Sequence, residues 1–333
     1  MIPRGLMQVR RVTTVPPKFF PEPDSLTAIQ KRVLFKDENF IAINKPYGLA
    51  STHGPKVKLN LANHLHKFRF ENRLVPNIIH RLDEGTTGVL VMSRHPEAAR
   101  MAMNWFKKKQ IKKVYHCLVL GRPEKSEGVV DVPLKVGMTD PDHNEKYKYI
   151  MEANVGSEYG KEAITMYKCL ETFEGPNGTF SFLEVQPVTG RRHQLRVHCC
   201  DVLKCPIVGD HIRTQHKLYT NTHLKGLRIK RKHLPLLRMH LHASRVELPP
   251  DSSEGITEPT VIEAPLPEHM KTSLSWLREN ENWHDPYGPI LNYAAGRDDV
   301  PQKKKKRFIN SRHLPEDYEE AHLHQGQRAD RIG

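Results

Sequence analysis

Arg81 and Asp83 stand two residues apart in a polar turn, directly ahead of an apolar run. Gly85 and Gly88 permit the backbone angles of a tight turn, and the β-branched and apolar residues 89–92 favour a buried strand. A neighbouring guanidinium lowers the pKa of a carboxyl group and keeps it ionised. The pair therefore suits a carboxylate that acts as an anion at the junction of a strand and a loop. An Arg–Asp pair that only braces the turn has the same signature, and the two interpretations stay open at this point.

Two later stretches supply groups that suit chemistry on a nucleotide. Tyr115 lies on a predicted strand over 114–120, and Arg196 lies on a predicted helix over 191–203. The basic turn that begins this helix favours phosphate, because the first amides of a helix are free donors at its positive end. A carboxylate, a ring for base stacking and two arginines form a plausible set for a reaction on a nucleotide.

Charge and hydropathy restrict the class of partner. The 333 residues include 52 Lys and Arg against 38 Asp and Glu, which gives a formal charge of +14. This balance favours a polyanionic partner, and nucleic acid is the first candidate. No apolar run approaches the roughly 18 residues that a membrane helix needs, so we predict no membrane association.

Histidines and cysteines cluster between residues 193 and 211, but their spacing fits no standard zinc motif. The five cysteines are odd in number and sparse, which favours a reducing compartment over a disulfide framework. The sequence also has no GxSxG elbow and no glycine-rich phosphate loop, so a nucleotide-driven enzyme is not indicated.

The composition divides the chain into three parts. Residues 1–32 form a basic, proline-containing leader without an acidic residue before Glu22, which is the bias of a mitochondrial targeting segment; a solvated, disordered leader is the alternative. Residues 33–280 form the predicted catalytic domain. Residues 281–333 form a polar tail whose basic run at 303–307 suits a solvated segment, added RNA affinity or a nuclear signal.

Alternating and helical apolar patterns over residues 33–280 predict an α+β fold, a mixed and largely antiparallel sheet with packed helices. Residues 137–160 are predicted as a surface insertion, and residues 211–233 as a basic, mobile loop with few apolar anchors. The predicted strands are 33–35, 40–43, 89–92, 114–120, 128–134, 161–173, 179–186, 239–248 and 260–263, and the predicted helices are 96–109, 191–203 and 268–277.

Several blocks, in order, resemble the RluA-type pseudouridine synthases. HRLDEGTTGVLVMSR at 80–94 resembles the catalytic motif of that family. The other blocks are NKPYG at 44–48, KKVYHCLVLG at 112–121, PVTGRRHQLRVH at 187–198, PIVGD at 206–210 and EAPLPEHM at 263–270. The resemblance spans about residues 33–280 and implies an enzyme that isomerises uridine to pseudouridine in rRNA or tRNA, with no metal or organic cofactor.

The resemblance also implies roles for individual residues. Asp83 matches the catalytic aspartate, and whether it first adds to the sugar carbon or assists formation of a glycal stays open. Arg81 matches the residue that holds the place of the flipped nucleotide in the RNA. Tyr115 matches the ring against which the target base packs, and Arg196 matches the arginine that pairs with the aspartate. The residues predicted to bind RNA are Lys45, Lys112, Lys113, Arg191, Arg192, His193 and Gln194.

The sequence departs from the family pattern at three places. Thr87 replaces a usual serine, Arg192 replaces a usual threonine, and a tyrosine-glycine ending is missing after Asp210. A small N-terminal RNA-binding domain common among relatives is also not expected here. The leading hypothesis is a monomeric RNA pseudouridine synthase in mitochondria, with a cytoplasmic or nuclear location as the alternative. The rival is an RNA-binding factor that docks on a ribosomal assembly particle, with modification secondary or absent.

Overall fold

The computed structural model describes residues 29–54, 57, 59–70, 74–138, 149–154, 160–175, 178–214, 218–250 and 257–279. The predicted tail and most of the predicted leader lie outside these residues, as do residues 139–148 and 155–159 of the predicted insertion. Residues 29–32 differ from the extended leader that we predicted, because they form a 3-10 turn whose Ile29 is buried in the core. None of the described helices is long and apolar enough to cross a membrane.

Strands provide most of the regular structure. The strands are β1 (Val33–Lys36), β2 (Phe40–Lys45), β3 (Asn77–Ile78), β4 (Thr87–Ser93), β5 (Lys112–Leu120), β6 (Glu127–Asp131), β7 (Leu134–Met138), β8 (Tyr149–Ala153), β9 (Ile164–Phe173), β10 (Phe180–Pro187), β11 (Leu241–Leu248) and β12 (Thr260–Glu263). The α-helices are α1 (Pro96–Lys107), α2 (Gln194–Val197), α3 (Asn221–Gly226) and α4 (Glu268–Arg278). Wider or tighter helical turns occupy Ala62–Phe68, His198–Val202 and Arg231–Leu236.

Ten of the described strands form one sheet in the order β1-β2-β4-β11-β5-β10-β9-β6, with β3 added to β4 and β12 added to β11. The pairing of β4 with β11 is parallel, and the other pairs in this sheet are antiparallel. β7 and β8 form a separate antiparallel pair, in which β7 begins before the predicted insertion and β8 lies within it. The predicted α+β fold with a largely antiparallel sheet is confirmed.

Both faces of the sheet are covered at β4, and every residue of that strand is buried. Successive side chains of a strand point to opposite faces. Leu90 and Met92 therefore enter one core cluster, whereas Val89 and Val91 enter another, against α1. This two-sided burial fixes the strand that follows the Arg81–Asp83 turn, and so fixes the end of the turn.

The spacing of Ala99, Met103 and Phe106 predicts that these residues form the apolar face of α1, whereas the structure buries a different pair most deeply. Ala98 and Ala102 are the buried residues of the helix, while the Met103 side chain is 65% exposed. Two alanines four residues apart allow the helix to approach the sheet closely, since they present little side-chain volume. The larger side chains of Met101, Trp105 and Phe106 pack against the same cluster and are partly buried.

Residues 218–238 are more ordered than the mobile loop that we predicted over 211–233. They contain α3 and the turn Arg231–Leu236, and four of their apolar side chains are buried in a core cluster shared with α4. These side chains are Tyr219, Leu224, Leu227 and Leu234. These four buried side chains anchor the segment, although Leu218 and Leu236 remain exposed.

Gly88 lies where β4 passes between β2 and β11, and it has a positive φ of 107°. A Cβ at this position would lie 2.1 Å from the carbonyl oxygen of Ala243. We expect Gly88→Ala to lower the free energy of unfolding by roughly 3 kcal/mol or more, because it adds both backbone strain and a backbone clash. Denaturant unfolding measures this change.

The control is Gly175→Ala, since nothing lies within 4 Å of the Cβ position at Gly175. Its effect is expected to stay within about 0.5 kcal/mol. Equal losses in the two variants would contradict the close approach of β4 and β11.

Candidate active site

The turn that carries Arg81 and Asp83 is held on both sides by the segment 45–51. Ser51 Oγ accepts a hydrogen bond from Leu82 N at 3.0 Å and donates one to Leu82 O at 2.8 Å. On the other side of Asp83, the backbone amide of Gly48 donates to Glu84 O at 2.9 Å. The residues before and after Asp83 are thus both fixed to one rigid segment, which sets the position of the carboxylate.

Lys45 belongs to the same support, and the structure contradicts the RNA contact that we predicted for it. Its side chain is fully buried, and its Nζ donates to the carbonyl oxygens of Pro46, Leu49 and Glu84 at 3.0, 2.6 and 3.3 Å. Burial lowers the pKa of Lys45 to about 7, although Asp83 and Glu84 act in the opposite direction. A lysine in this position supports the turn and does not reach a ligand in the cleft.

Ser51→Ala tests the support of the turn. The variant removes both hydrogen bonds of the Leu82 backbone and leaves buried polar groups unpaired. We expect it to lower the free energy of unfolding by about 1–3 kcal/mol, the range for an unsatisfied buried group. Ser275→Ala, which removes a serine that bonds exposed Glu279 on α4, is the matched control and is expected to change stability by less than about 0.5 kcal/mol. A loss no larger in Ser51→Ala than in the control would show that Ser51 does not hold the turn.

Arg196 joins two carboxylates in the interior. Its Nε and Nη2 donate to the two oxygens of Asp210 at 2.7 and 2.6 Å, and its Nη1 donates to Asp83 Oδ2 at 3.2 Å. The side chain of Asp210 is 1% exposed and that of Arg196 is 7% exposed, whereas that of Asp83 is 19% exposed. The bidentate bond to Asp210 therefore orients the guanidinium, and the remaining nitrogen, Nη1, holds the partly exposed Asp83.

Several charges determine the ionisation of Asp83. Burial acts to raise its pKa, while the charges of His193, Arg196 and Arg81 lower it, and the net pKa lies below the ordinary value. His193 Nε2 is 3.7 Å from Asp83 Oδ2, but burial lowers the pKa of His193 itself to about 4. His193 is therefore neutral at physiological pH, so the lasting positive charge beside Asp83 is that of Arg196 and Arg81.

Asp83 faces a cleft with a volume of about 600 Å³. Tyr115 lines the same cleft from β5 and is 9% exposed. Burial, together with the charge of Asp83, raises the pKa of Tyr115, so its hydroxyl stays protonated. The cleft thus brings together the four residues that the resemblance assigned to the reaction, which are Arg81, Asp83, Tyr115 and Arg196.

The two lysines that precede Tyr115 face different ways. Lys113 shares the face of Tyr115, as expected for residues two apart on a strand, and lines the cleft. Lys112 points to the other face, where its Nζ lies 3.6 Å from a carboxylate oxygen of Glu247. Of the two lysines that we predicted to bind RNA, only Lys113 therefore lines the cleft.

The residues of the basic turn ahead of α2 also differ in their exposure to solvent. Arg191 and Arg192 are exposed at the rim of the cleft, and Arg191 Nε donates to Glu162 O at 2.8 Å. Gln194 is 3% exposed, and its amide bonds Thr189, the Arg191 backbone, Ile164 and Thr165. The structure contradicts the RNA contact predicted for Gln194, because its hydrogen-bonding groups are used inside the protein.

The helix predicted over 191–203 begins later than expected. His193 has a left-handed backbone with φ 54°, and α2 starts only at Gln194 before it widens over His198–Val202. The four-residue spacing of Arg192 and Arg196 predicts that they share one helix face, and the late start of α2 contradicts this prediction. The break separates an exposed arginine at the rim from a buried arginine at Asp83.

Sequence reasoning missed two residues that support the site. Asp210, which orients Arg196, follows a glycine with φ 77° in the PIVGD block, and Ser51 lies just beyond the NKPYG block. Both blocks were noticed in the sequence, but no local spacing connects them to Asp83. Among the described residues, no group of three or more His, Cys, Asp or Glu side chains is arranged to hold a metal ion.

Comparisons with known proteins agree with this geometry. A family model described as RNA pseudouridylate synthase matches residues 39–201. The mitochondrial pseudouridylate synthase RPUSD4 of Xenopus tropicalis is 33% identical over 273 residues, covering 76% of this chain and 82% of the relative. The ribosomal large subunit pseudouridine synthase C of Rickettsia prowazekii is 35% identical over 178 residues, covering 54% of each chain.

A solved structure shares the fold. The structure of human RNA pseudouridylate synthase domain containing 4 matches with a TM-score of 0.62 at 30% identity, and the match covers 76% of this chain and 95% of that one. The resemblance that the sequence motifs indicated is thereby confirmed at the level of sequence and of fold. The chain belongs to the RNA pseudouridylate synthase family and is an isomerase that converts uridine in RNA to pseudouridine.

Proposed function

We propose that this protein converts a uridine of mitochondrial ribosomal RNA to pseudouridine, with Asp83 as the catalytic carboxylate. The observation that carries the proposal is the position of Asp83, whose charge is held by the Asp210-oriented guanidinium of Arg196 at the mouth of the cleft. A carboxylate in this position is ionised before substrate arrives, and no conformational change is needed to charge it.

The isomerisation requires an anion beside the sugar. The bond between uracil N1 and ribose C1′ breaks with its electron pair leaving on the uracil, so positive charge develops at C1′. An ionised Asp83 stabilises that charge, either by bonding to C1′ or by assisting loss of a sugar proton to a glycal. The uracil then turns within the cleft and rejoins C1′ through C5, and on the glycal route the sugar regains its proton at C2′. The C5 proton is then lost, and N1 gains a proton.

Tyr115 and Arg81 serve the substrate around this step. The buried ring of Tyr115 offers an apolar surface on which the detached uracil packs and stays in the cleft. Its protonated hydroxyl cannot compete with Asp83 as an anion. Extruding the uridine costs a few kcal/mol. We assign to Arg81, which is exposed and lines the cleft, the role of occupying the gap that the uridine leaves in the RNA.

Substrate and location follow from charge and from the relatives. The net charge of +14 favours a large polyanion. One relative is named as a mitochondrial enzyme and another as an enzyme of the large ribosomal subunit. These names support a ribosomal RNA in mitochondria as the target. We propose that the protein acts on it as a monomer, since Asp83, Arg196, Asp210 and Tyr115 all come from one chain.

The test uses purified protein and unmodified transcripts of mitochondrial ribosomal and transfer RNAs. Incubation with the wild type, followed by pseudouridine detection at single-nucleotide resolution, is expected to show one modified position in a ribosomal transcript. The matched Asp83→Asn variant, which keeps the shape and removes the charge, is expected to show none. Modification confined to transfer RNA would overturn the proposed substrate, and equal modification by both proteins would overturn the role of Asp83.

A further inference from the structure

Lys113 is the one cleft-lining lysine on the strand that carries Tyr115. The two side chains are two residues apart on β5, so they point the same way and stand about 7 Å apart along the strand. That separation is on the scale of a single nucleotide. A base packed on Tyr115 would therefore place its neighbouring backbone near the ammonium of Lys113.

Lys113 has no charge partner in the part of the chain that the structure describes. The other two buried cations of the site are both satisfied, Lys45 by three carbonyl oxygens and Arg196 by two carboxylates. Burial lowers the pKa of Lys113 to about 8, with no carboxylate acting against it. A mostly buried ammonium without a partner is costly to keep and points to an anion supplied from outside.

The surroundings of Lys113 offer donors and space. A Cβ at Gly190 would come within 3.9 Å of Lys113 Nζ, so the ammonium reaches the exposed basic turn of Arg191 and Arg192. His80 also lines the cleft, and its Nε2 accepts a hydrogen bond from Val91 N at 2.9 Å. The ring proton of neutral His80 is therefore on Nδ1, which has no partner among the described residues.

We propose that Lys113 binds a backbone phosphate next to the target uridine, and so forms a phosphate subsite beside the Tyr115 base site. The proposal rests on the proposed function, since it assumes that a uridine enters this cleft. Phosphate suits the subsite because it supplies a negatively charged partner for the ammonium of Lys113. Holding the phosphate there fixes the sugar between Lys113 and Asp83.

The first experiment compares neighbouring lysines. An RNA hairpin that contains the target uridine, still unmodified, is titrated with the wild type, with Lys113→Gln and with the matched control Lys112→Gln. We expect Lys113→Gln to bind about tenfold more weakly and to reduce the salt dependence of binding by about one phosphate contact, while Lys112→Gln changes neither. Lys113→Arg keeps the charge and is expected to restore most of the affinity. Equal effects of the Gln variants, or no effect of Lys113→Gln, would overturn the proposal.

The second experiment removes the charge from the RNA. Single neutral methylphosphonate linkages are placed on the 5′ side or the 3′ side of the target uridine. At one of these linkages, the wild type should bind the neutral hairpin about tenfold more weakly than the fully charged hairpin. Lys113→Gln should bind these two hairpins equally well. If each neutral linkage weakens binding by Lys113→Gln as much as it weakens binding by the wild type, the phosphate assignment is overturned. The rate of pseudouridine formation on the hairpin without neutral linkages is measured in parallel. A wild type that forms no pseudouridine overturns the proposed function. An active wild type, whose affinity falls at the neutral linkages no more than that of Lys113→Gln, overturns only the Lys113 subsite.

Discussion

Replacing Asp83 by alanine is expected to slow pseudouridine formation by roughly a thousandfold or more, while the protein still folds and binds RNA. The chemical step loses the carboxylate that Arg196 holds in the cleft beside Tyr115, and effects of this size follow loss of a reacting or charge-stabilising group. The fold should survive because Arg196 keeps its two bonds to Asp210 when Asp83 is absent. Single-turnover rates measure the first effect, and thermal unfolding with RNA titration measures the others.

Asp131→Asn serves as the control for this variant. Asp131 is an exposed carboxylate on β6, away from the cleft, and its variant should retain the wild-type rate. If Asp83→Ala unfolds, the carboxylate braces the turn and its catalytic assignment loses support. If Asp83→Ala folds, binds RNA and keeps its rate, another group performs the reaction.

The second large effect is expected for Asp210→Asn, which breaks a buried ion pair from one side. Arg196 would lose the carboxylate that two of its nitrogens bond and would keep only the longer contact to Asp83, and breaking a buried ion pair from one side typically costs about 3–5 kcal/mol. Because Asp210 also orients Arg196, the variant should hold Asp83 less firmly and raise its pKa. We therefore expect a lower free energy of unfolding and a lower rate, with the acidic limb of the pH–rate profile moved to higher pH.

Denaturant unfolding and the pH dependence of single-turnover rates check this prediction. Glu174→Gln is the control, since Glu174 and Arg122 form an exposed pair at 3.1 Å whose loss should cost less than about 1 kcal/mol. Asp210→Asn with wild-type stability and an unshifted profile would mean that Arg196 is oriented by other groups.

The sequence was most informative where local pattern and packing agree. β4 was predicted as a buried strand from residues 89–92, and β12 was predicted with its observed bounds, Thr260–Glu263. The apolar and β-branched residues of these strands also fill the core, so the same residues carry both signals. The blocks around Asp83, Tyr115 and Arg196 predicted which residues the fold brings to one cleft.

The remaining features depend on contacts distant in sequence. Arg196 and its partner Asp210 are 14 residues apart in sequence. One of the carbonyl groups that bond the buried Lys45 lies 39 residues away. The left-handed backbone of His193 ends the helical spacing that joined Arg192 to Arg196. Local periodicity does not encode such contacts, so the support of the site became evident only in three dimensions.

The central claim is that the carboxylate of Asp83, kept ionised by Arg196, isomerises a specific uridine. Pseudouridine mapping of RNA from cells that lack this protein, supplied with either the wild type or Asp83→Asn at equal abundance, tests it most directly. We expect the wild type to restore pseudouridine at one ribosomal RNA position and Asp83→Asn to leave uridine there. A map that is identical for the two proteins would contradict the claim.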